Sequence, residues 1–119
     1  MSYRYDFKRE FSFQNRLQES SRVLAKYPER RPIICEKAKH QNDLPDIDKK
    51  KYLVPYDLTM GQFIFVIRKR MRLKPEEGIF LFSNNKIVAG STIIGHIYEY
   101  SKDPDGFLYI QYAKENTFG

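Results

Sequence analysis

The sequence predicts an α+β domain in which one four-stranded mixed sheet carries helices on one face and follows two additional N-terminal helices. Three observations carry this reading. Short apolar runs at 33–35, 52–54, 79–82 and 107–112 are bounded by prolines, an Asn-Asn pair and an Asp-Pro-Asp-Gly turn, the punctuation of strands. Two stretches, 59–71 and 91–100, repeat apolar residues at helical spacing. The first 27 residues are also helical in period and end at Pro28.

Each element has a local cause. A short helix is predicted over residues 4–10. Ser12 is placed to cap a second, with Phe13, Leu17, Leu24 and Tyr27 on its inward face. Pro28 and Pro32 interrupt the pattern before Ile33, Ile34 and Cys35 form a strand. Residues 38–48 are polar, contain Pro45 and read as a loop, with Asp43, Asp46 and Asp48 serving solubility. Tyr52, Leu53 and Val54 make a second strand, stopped by Pro55. Thr59 caps a helix with an apolar stripe at Met60, Phe63, Ile64, Ile67 and Met71. Ile79–Phe82 is a buried strand ending at Asn84 and Asn85, residues that favour turns. Ser91–Tyr100 is helical with Ile93, Ile94 and Ile97 inward, and Phe107–Tyr112 is the last strand. Without the N-terminal helices the order is β-β-α-β-α-β, that of a ubiquitin-like β-grasp. The chain is expected to be a single domain, with residues 1–27 a helical extension and residues 28–119 the core.

Composition narrows the function. At 119 residues and 41% hydrophobic content the chain can build one core. No apolar run approaches membrane-spanning length, and the first residues are not patterned as a signal peptide. One cysteine forms no internal disulfide, which predicts a cytoplasmic protein. The net charge of +6 is concentrated: residues 49–74 hold eight basic residues and one acid, while residues 75–119 hold three and six. Such a basic centre favours acidic partners. Nucleic acid is disfavoured among them, because the Tyr and Phe residues that could stack on bases fall mostly at core spacing.

Chemistry of the protein's own is weakly signalled. Cys35 lies in an apolar strand, where a thiol is a small inert hydrophobe, and His40 and His96 are poor candidates for its base. No residues stand at metal-ligand spacing and no phosphate loop is present, so neither enzyme activity, metal nor cofactor is expected. Two features point elsewhere. Gly119 ends the chain without a Cβ beside its carboxylate, so it can thread a narrow channel toward a nucleophile. Val23, Phe65 and Val66 lie off the core stripes of their helices, and with Lys51–Val54 they suggest hydrophobic hollows beside a sheet edge. Such an edge captures extended peptides.

Several blocks then fall in a distinctive order: Lys26-Tyr27-Pro28-Glu29-Arg30, Glu36-Lys37-Ala38, Asp48-Lys49-Lys50-Lys51-Tyr52-Leu53-Val54-Pro55, Gly61-Gln62-Phe63 and Ile67-Arg68-Lys69-Arg70. Asp105-Gly106-Phe107-Leu108-Tyr109 and Glu115-Asn116-Thr117-Phe118-Gly119 complete the set. With these the chain resembles the autophagy ubiquitin-like modifiers, in their GABARAP-like branch, from about Phe7 to Gly119. The resemblance implies that Gly119 is activated with ATP, passes through enzyme cysteine thioesters and ends as an amide on phosphatidylethanolamine. Activating and conjugating enzymes and a processing or deconjugating cysteine protease are the implied partners. The lipidated form is expected on autophagosome and vacuole or lysosome membranes, recruiting receptors with aromatic-x-x-aliphatic motifs.

By the same resemblance, Glu19, Val23, Pro32, Ile34, Lys51, Leu53 and Phe107 line an aromatic pocket. Tyr52, Val54, Pro55, Leu58, Phe63 and Val66 line an aliphatic one, and Arg30, Lys49 and Arg70 meet flanking acids. Val88, Ala89 and Gly90 stand where the family often has paired prolines, implying a looser loop. The competing function is a non-conjugated trafficking or cytoskeletal adaptor whose basic N-terminal helices bind acidic tubulin tails.

Overall fold

The computed structural model describes residues 5–38 and 44–114. The elements are α1 (Asp6–Glu10), α2 (Phe13–Lys26), β1 (Arg30–Lys37), β2 (Lys51–Pro55), α3 (Met60–Met71), β3 (Phe80–Ser83), β4 (Lys86–Ile87), α4 (Ile94–Ser101) and β5 (Leu108–Ala113). The strands form one sheet in the order β2-β1-β5-β3-β4. β1 and β5 run parallel at its centre, and the other pairings are antiparallel.

The expected mixed sheet is present, with a fifth, two-residue strand. Asn84 and Asn85 both adopt left-handed backbone, φ 52° and 64°. Two such residues in succession reverse a chain tightly with the twist a hairpin needs, so Ser83 pairs with Lys86 and Phe82 with Ile87. β1 also extends on both sides of 33–35 and runs through Pro32. That proline is tolerated because the β1–β5 ladder begins only at Ile33 and Leu108, leaving its missing N–H outside the pairing.

β1 and β5 are buried on both faces, because successive side chains alternate across the sheet. Ile33, Cys35, Leu108, Ile110 and Tyr112 meet Met60, Phe63, Ile67 and Met71 of α3 and Ile94 and Ile97 of α4. On the opposite face Ile34, Phe107 and Tyr109 pack with Phe7 and the half-buried Tyr5. The later helices therefore occupy one face as expected, and the N-terminal extension covers the other.

The caps hold as read. Ser12 Oγ accepts the Asn15 N–H at 3.1 Å. Thr59 and Gln62 form a reciprocal capping box. The inward face of α2 differs in part from expectation: Leu24 packs on the core, but Phe13 is 42% exposed, and the buried residues are Arg16 and Ser20. This helix docks through polar groups. Arg16 Nε donates to Asp105 Oδ2 at 2.8 Å, and Ser20 Oγ donates to the Asp105 carbonyl at 2.6 Å. Gly106 beside it has φ +90°, and a Cβ there would come within 2.2 Å of Ser20 Oγ.

α4 starts at Ile94 rather than Ser91, because the preceding residues pair with the β2–α3 turn instead. The Met60 N–H donates to the Thr92 carbonyl at 2.8 Å, and Thr59 bridges Ile93. The Val88–Gly90 loop, expected to be loose, is tied at its end: the Gly90 carbonyl accepts the Gly61 N–H at 2.9 Å.

Candidate peptide-binding edge

β2 is an outer strand of the sheet, and its polarity follows from two bonds. The Lys50 carbonyl accepts from Cys35 N–H, and Tyr56 N–H donates to the Glu29 carbonyl, both at 2.8 Å. Even-numbered residues therefore turn their backbone groups toward the neighbouring chain. In an antiparallel ladder the odd-numbered ones must turn outward, so Lys51 and Leu53 present N–H and C=O groups along the free edge.

Side-chain alternation sets what lies on either side. Tyr52 and Val54 join the core under α3, with Tyr52 edge-on to Phe63 at 5.4 Å between ring centroids. Lys51 and Leu53 take the α2 face. There Glu19, Val23, Pro32, Lys49, Lys51, Tyr52, Leu53 and Phe107 enclose a cavity of about 220 Å³. Lys51 Nζ reaches across it to Glu19 Oε2, joining strand to helix.

Six of the seven residues expected around an aromatic pocket thus share one cavity. Ile34 does not line it. It is fully buried beneath, among Phe7, Phe107 and Tyr109, because residue 34 points from a central strand into the layer under α1. Two residues assigned elsewhere in the sequence reading, Lys49 and Tyr52, belong to this wall. The signal for Lys49 was available: positions 49, 51 and 53 share one side at strand period.

The second set is spread in depth. Phe63 is 0% exposed, Tyr52 and Val54 are buried, Leu58 is half-buried, and Pro55 and Val66 are exposed. The reachable surface there is Pro55, Leu58 and Val66, next to Phe65 at 62% exposure. The three cations do not form one cluster. Lys49 stands 5.2 Å over the Tyr52 ring. Arg30 pairs in register with Pro55 at the other end of β2 and stacks on Tyr27 at 5.3 Å. Arg70 is engaged by Asp48 through a fork of 3.1 and 3.2 Å. A flank on one side of a peptide cannot meet both Lys49 and Arg30.

Gly119, His40 and Asp43 lie outside the described residues. A wider hollow of about 480 Å³ lies between β4 and α4, lined by residues such as Ile87, Val88, His96 and Tyr100; none of the expected site residues falls there. Cys35 is fully buried, and burial, reinforced by the Glu36 charge, pushes its thiol pKa far up, so a thiolate nucleophile is not formed there. Among the described residues no group of three or more His, Cys, Asp or Glu could hold a metal ion. No described helix is long and apolar enough to cross a membrane.

Residues 15–119 match the family model described as autophagy protein Atg8, ubiquitin-like. The chain is 56% identical over 113 residues to autophagy-related protein 8 of Mycosarcoma maydis, covering 95% of each. It is 53% identical over 116 residues to that of Schizosaccharomyces pombe, covering 98% of this chain and 95% of the relative. The crystal structure of Trypanosoma brucei ATG8 superposes with a TM-score of 0.90 at 40% identity, covering 98% of this chain and all of that one. The chain therefore belongs to the Atg8 family of ubiquitin-like autophagy proteins.

Proposed function

We propose that this protein is a ubiquitin-like modifier conjugated through Gly119 to phosphatidylethanolamine, and that on autophagosomal membranes it recruits receptors bearing aromatic-x-x-aliphatic motifs. The observation that carries the recruiting half is the free β2 edge. Lys51 and Leu53 face outward between a cavity on the α2 side and an apolar surface on the α3 side. An extended peptide adds to such an edge by main-chain bonds, and alternate side chains fall to opposite faces. Each backbone bond contributes about 0.5–1.5 kcal/mol net, and each buried anchor about 1.5–3 kcal/mol. Ordering the peptide costs about 2–5 kcal/mol, which leaves affinity on the order of micromolar.

The conjugating half rests on membership of the family, whose model matches through Gly119. ATP-dependent activation makes the Gly119 carboxylate an acyl donor. It passes through cysteine thioesters of the activating and conjugating enzymes, and the lipid amine displaces the last thiol to form the amide. This protein is the passenger in that chemistry. A cysteine protease would process or deconjugate it, and the unconjugated form would be cytoplasmic. Two acyl chains then hold it firmly without a membrane-spanning segment. The adaptor reading, in which the N-terminal helices bind tubulin tails, has less support: Lys8 is held by Asp103 and Arg16 by Asp105.

Two measurements test the proposal. Flotation with phosphatidylethanolamine liposomes after incubation with the conjugating enzymes and ATP should depend on Gly119, and a deletion of Gly119 that still floats overturns the conjugation half. Titration calorimetry with a Trp-x-x-Leu peptide should show binding that Lys51→Ala combined with Leu53→Ala abolishes in a folded domain.

A further inference from the structure

Arg31 occupies a slot that the proposed groove does not explain. Its Cζ lies 5.0 Å from the Tyr56 ring centroid and 5.4 Å from that of Tyr98. Nη1 donates to the carbonyls of Pro28 at 2.8 Å and Arg30 at 2.7 Å. The guanidinium is thereby fixed in plane with Nε and Nη2 uncommitted, the fork that matches an oxyanion. Among the described residues no carboxylate forms an ion pair with it, and Glu29, two residues earlier, lies nearer Arg30. Lys102 Nζ stands 5.3 Å over the same Tyr98 ring. The slot is shaped by packing, since the Tyr56 ring lies on Gly95 of α4, where a Cβ would come within 2.2 Å of it.

The position of the slot specifies its occupant. Arg31 pairs with Val54, and Tyr56 follows Pro55, so the slot sits where β2 ends. The cavity suited to an aromatic anchor lies toward Lys49 and Lys51, and the aliphatic surface lies toward Pro55 and Leu58. A peptide reading aromatic-x-x-aliphatic would therefore run parallel to β2 and leave over Tyr56. We infer that Arg31, clamped between Tyr56 and Tyr98, binds acidic side chains that follow the aliphatic anchor of the captured peptide. This rests on the groove reading above. Lipid headgroups also carry oxyanions, but the sheet argues against them. Arg31 is at the Ile33–Leu108 end, whereas the described chain leaves at the Lys37–Tyr112 end, roughly 20 Å away along the strands at about 3.3 Å per residue.

Calorimetry with two peptides separates the possibilities, one with a Trp-x-x-Leu core followed by three glutamates and one with the same core followed by three glutamines. The acidic tail should tighten binding to the native protein about 5- to 10-fold at low salt, as expected for a charge-assisted fork. Arg31→Gln should remove that gain and leave the glutamine peptide unaffected. Gly95→Ala, which displaces Tyr56, should reduce the gain. Retention of the full gain by Arg31→Gln, or its loss through Arg30→Gln alone, overturns the assignment to this slot. No gain in the native protein overturns it while sparing the groove. Failure of both peptides to bind overturns the groove and this site together. Tighter binding of Arg31-intact protein to anionic vesicles than to the acidic peptide assigns the slot to lipid instead.

Discussion

The two faces of the sheet are held by different physics. Under α3 and α4 the contact is almost wholly apolar: Phe63, Met60 and Ile67 of one helix and Ile94 of the other are fully buried against Ile33, Leu108 and Ile110. Under α1 and α2 the apolar cluster is small, and directional bonds do much of the holding. Buried Glu36 accepts the N–H groups of Asp6 and Phe7, each at 2.9 Å, and so caps α1 from the neighbouring strand. Asp105 binds Arg16 of α2, the Tyr109 hydroxyl at 2.5 Å and the Phe107 N–H at 2.9 Å. Apolar burial tolerates small shifts, whereas a polar latch is either satisfied or costly. The proposed groove lies at the seam, taking Glu19 and Val23 from the latched layer and Lys51 and Leu53 from the sheet.

The largest effect should come from the apolar face. Phe63→Ala removes a fully buried ring that touches Tyr52 edge-on, and should cost about 3–5 kcal/mol in urea unfolding. Amide exchange should then accelerate throughout the sheet. Next in size is the latch. Asp105→Ala strips partners from Arg16 and Tyr109 and should cost about 1.5–3 kcal/mol. Its exchange pattern should differ: faster amides in α1 and α2, with β1 and β5 still protected. Equal loss of protection in all four elements would show that the latched layer is not separable, and the comparison between faces would fail.

That asymmetry also marks what the sequence revealed and what it did not. The apolar side was legible because its signals are periodic: Met60, Phe63 and Ile67 repeat every three or four residues, and Thr59 announces the helix start. The latched side was not, because the buried residues of α2 are Arg16 and Ser20, types that ordinarily mark an exposed face. Their partner Asp105 lies 89 residues from Arg16, a distance over which no local pattern operates. The same limit applied to the site. The resemblance placed Lys51, Leu53 and Ile34 in one pocket, but only the fold distinguishes Leu53 on the cavity wall from Ile34 sealed below it. The pairing of Arg31 with two tyrosine rings from β2's end and α4 had no local signature.

Cys35 offers a smaller test inside the apolar layer. Cys35→Ala should cost about 0.5–3 kcal/mol, and the native thiol should react with a disulfide reagent only as fast as the protein unfolds. Rapid reaction in the folded state would mean that this layer is open to solvent. Alkaline pH probes both layers together. Burial raises the hydroxyl pKa of Tyr109 on the latched face and pushes that of Tyr112 on the apolar face up to about 12, with the Ile47 backbone bond opposing the shift for Tyr112. An unfolded tyrosine ionises near 10. The folded state resists ionisation, so stability is complete below about pH 10 and falls as pH rises from there through about 12. Tyr112→Phe, which retains the ring, should make that decline shallower; an unchanged slope would remove Tyr112 from the alkaline response.

The smallest expected effect on stability lies at the seam itself. Lys51 and Glu19 join β2 to α2, but their side chains are 49% and 26% exposed. Water and salt screen such a pair, so Glu19→Ala should change unfolding free energy by no more than about 0.2–1 kcal/mol. It does not follow that the pair is idle. Lys51 lines the cavity together with Glu19, and its aliphatic stem is a surface on which an aromatic anchor entering there can pack. Releasing Lys51 by Glu19→Ala should thus alter the rate of peptide association more than the stability of the domain. Stopped-flow fluorescence with a Trp-containing peptide, beside urea unfolding of the same variant, separates the two. A stability loss as large as that of Asp105→Ala, with unchanged association, would make the seam part of the latch rather than an entrance.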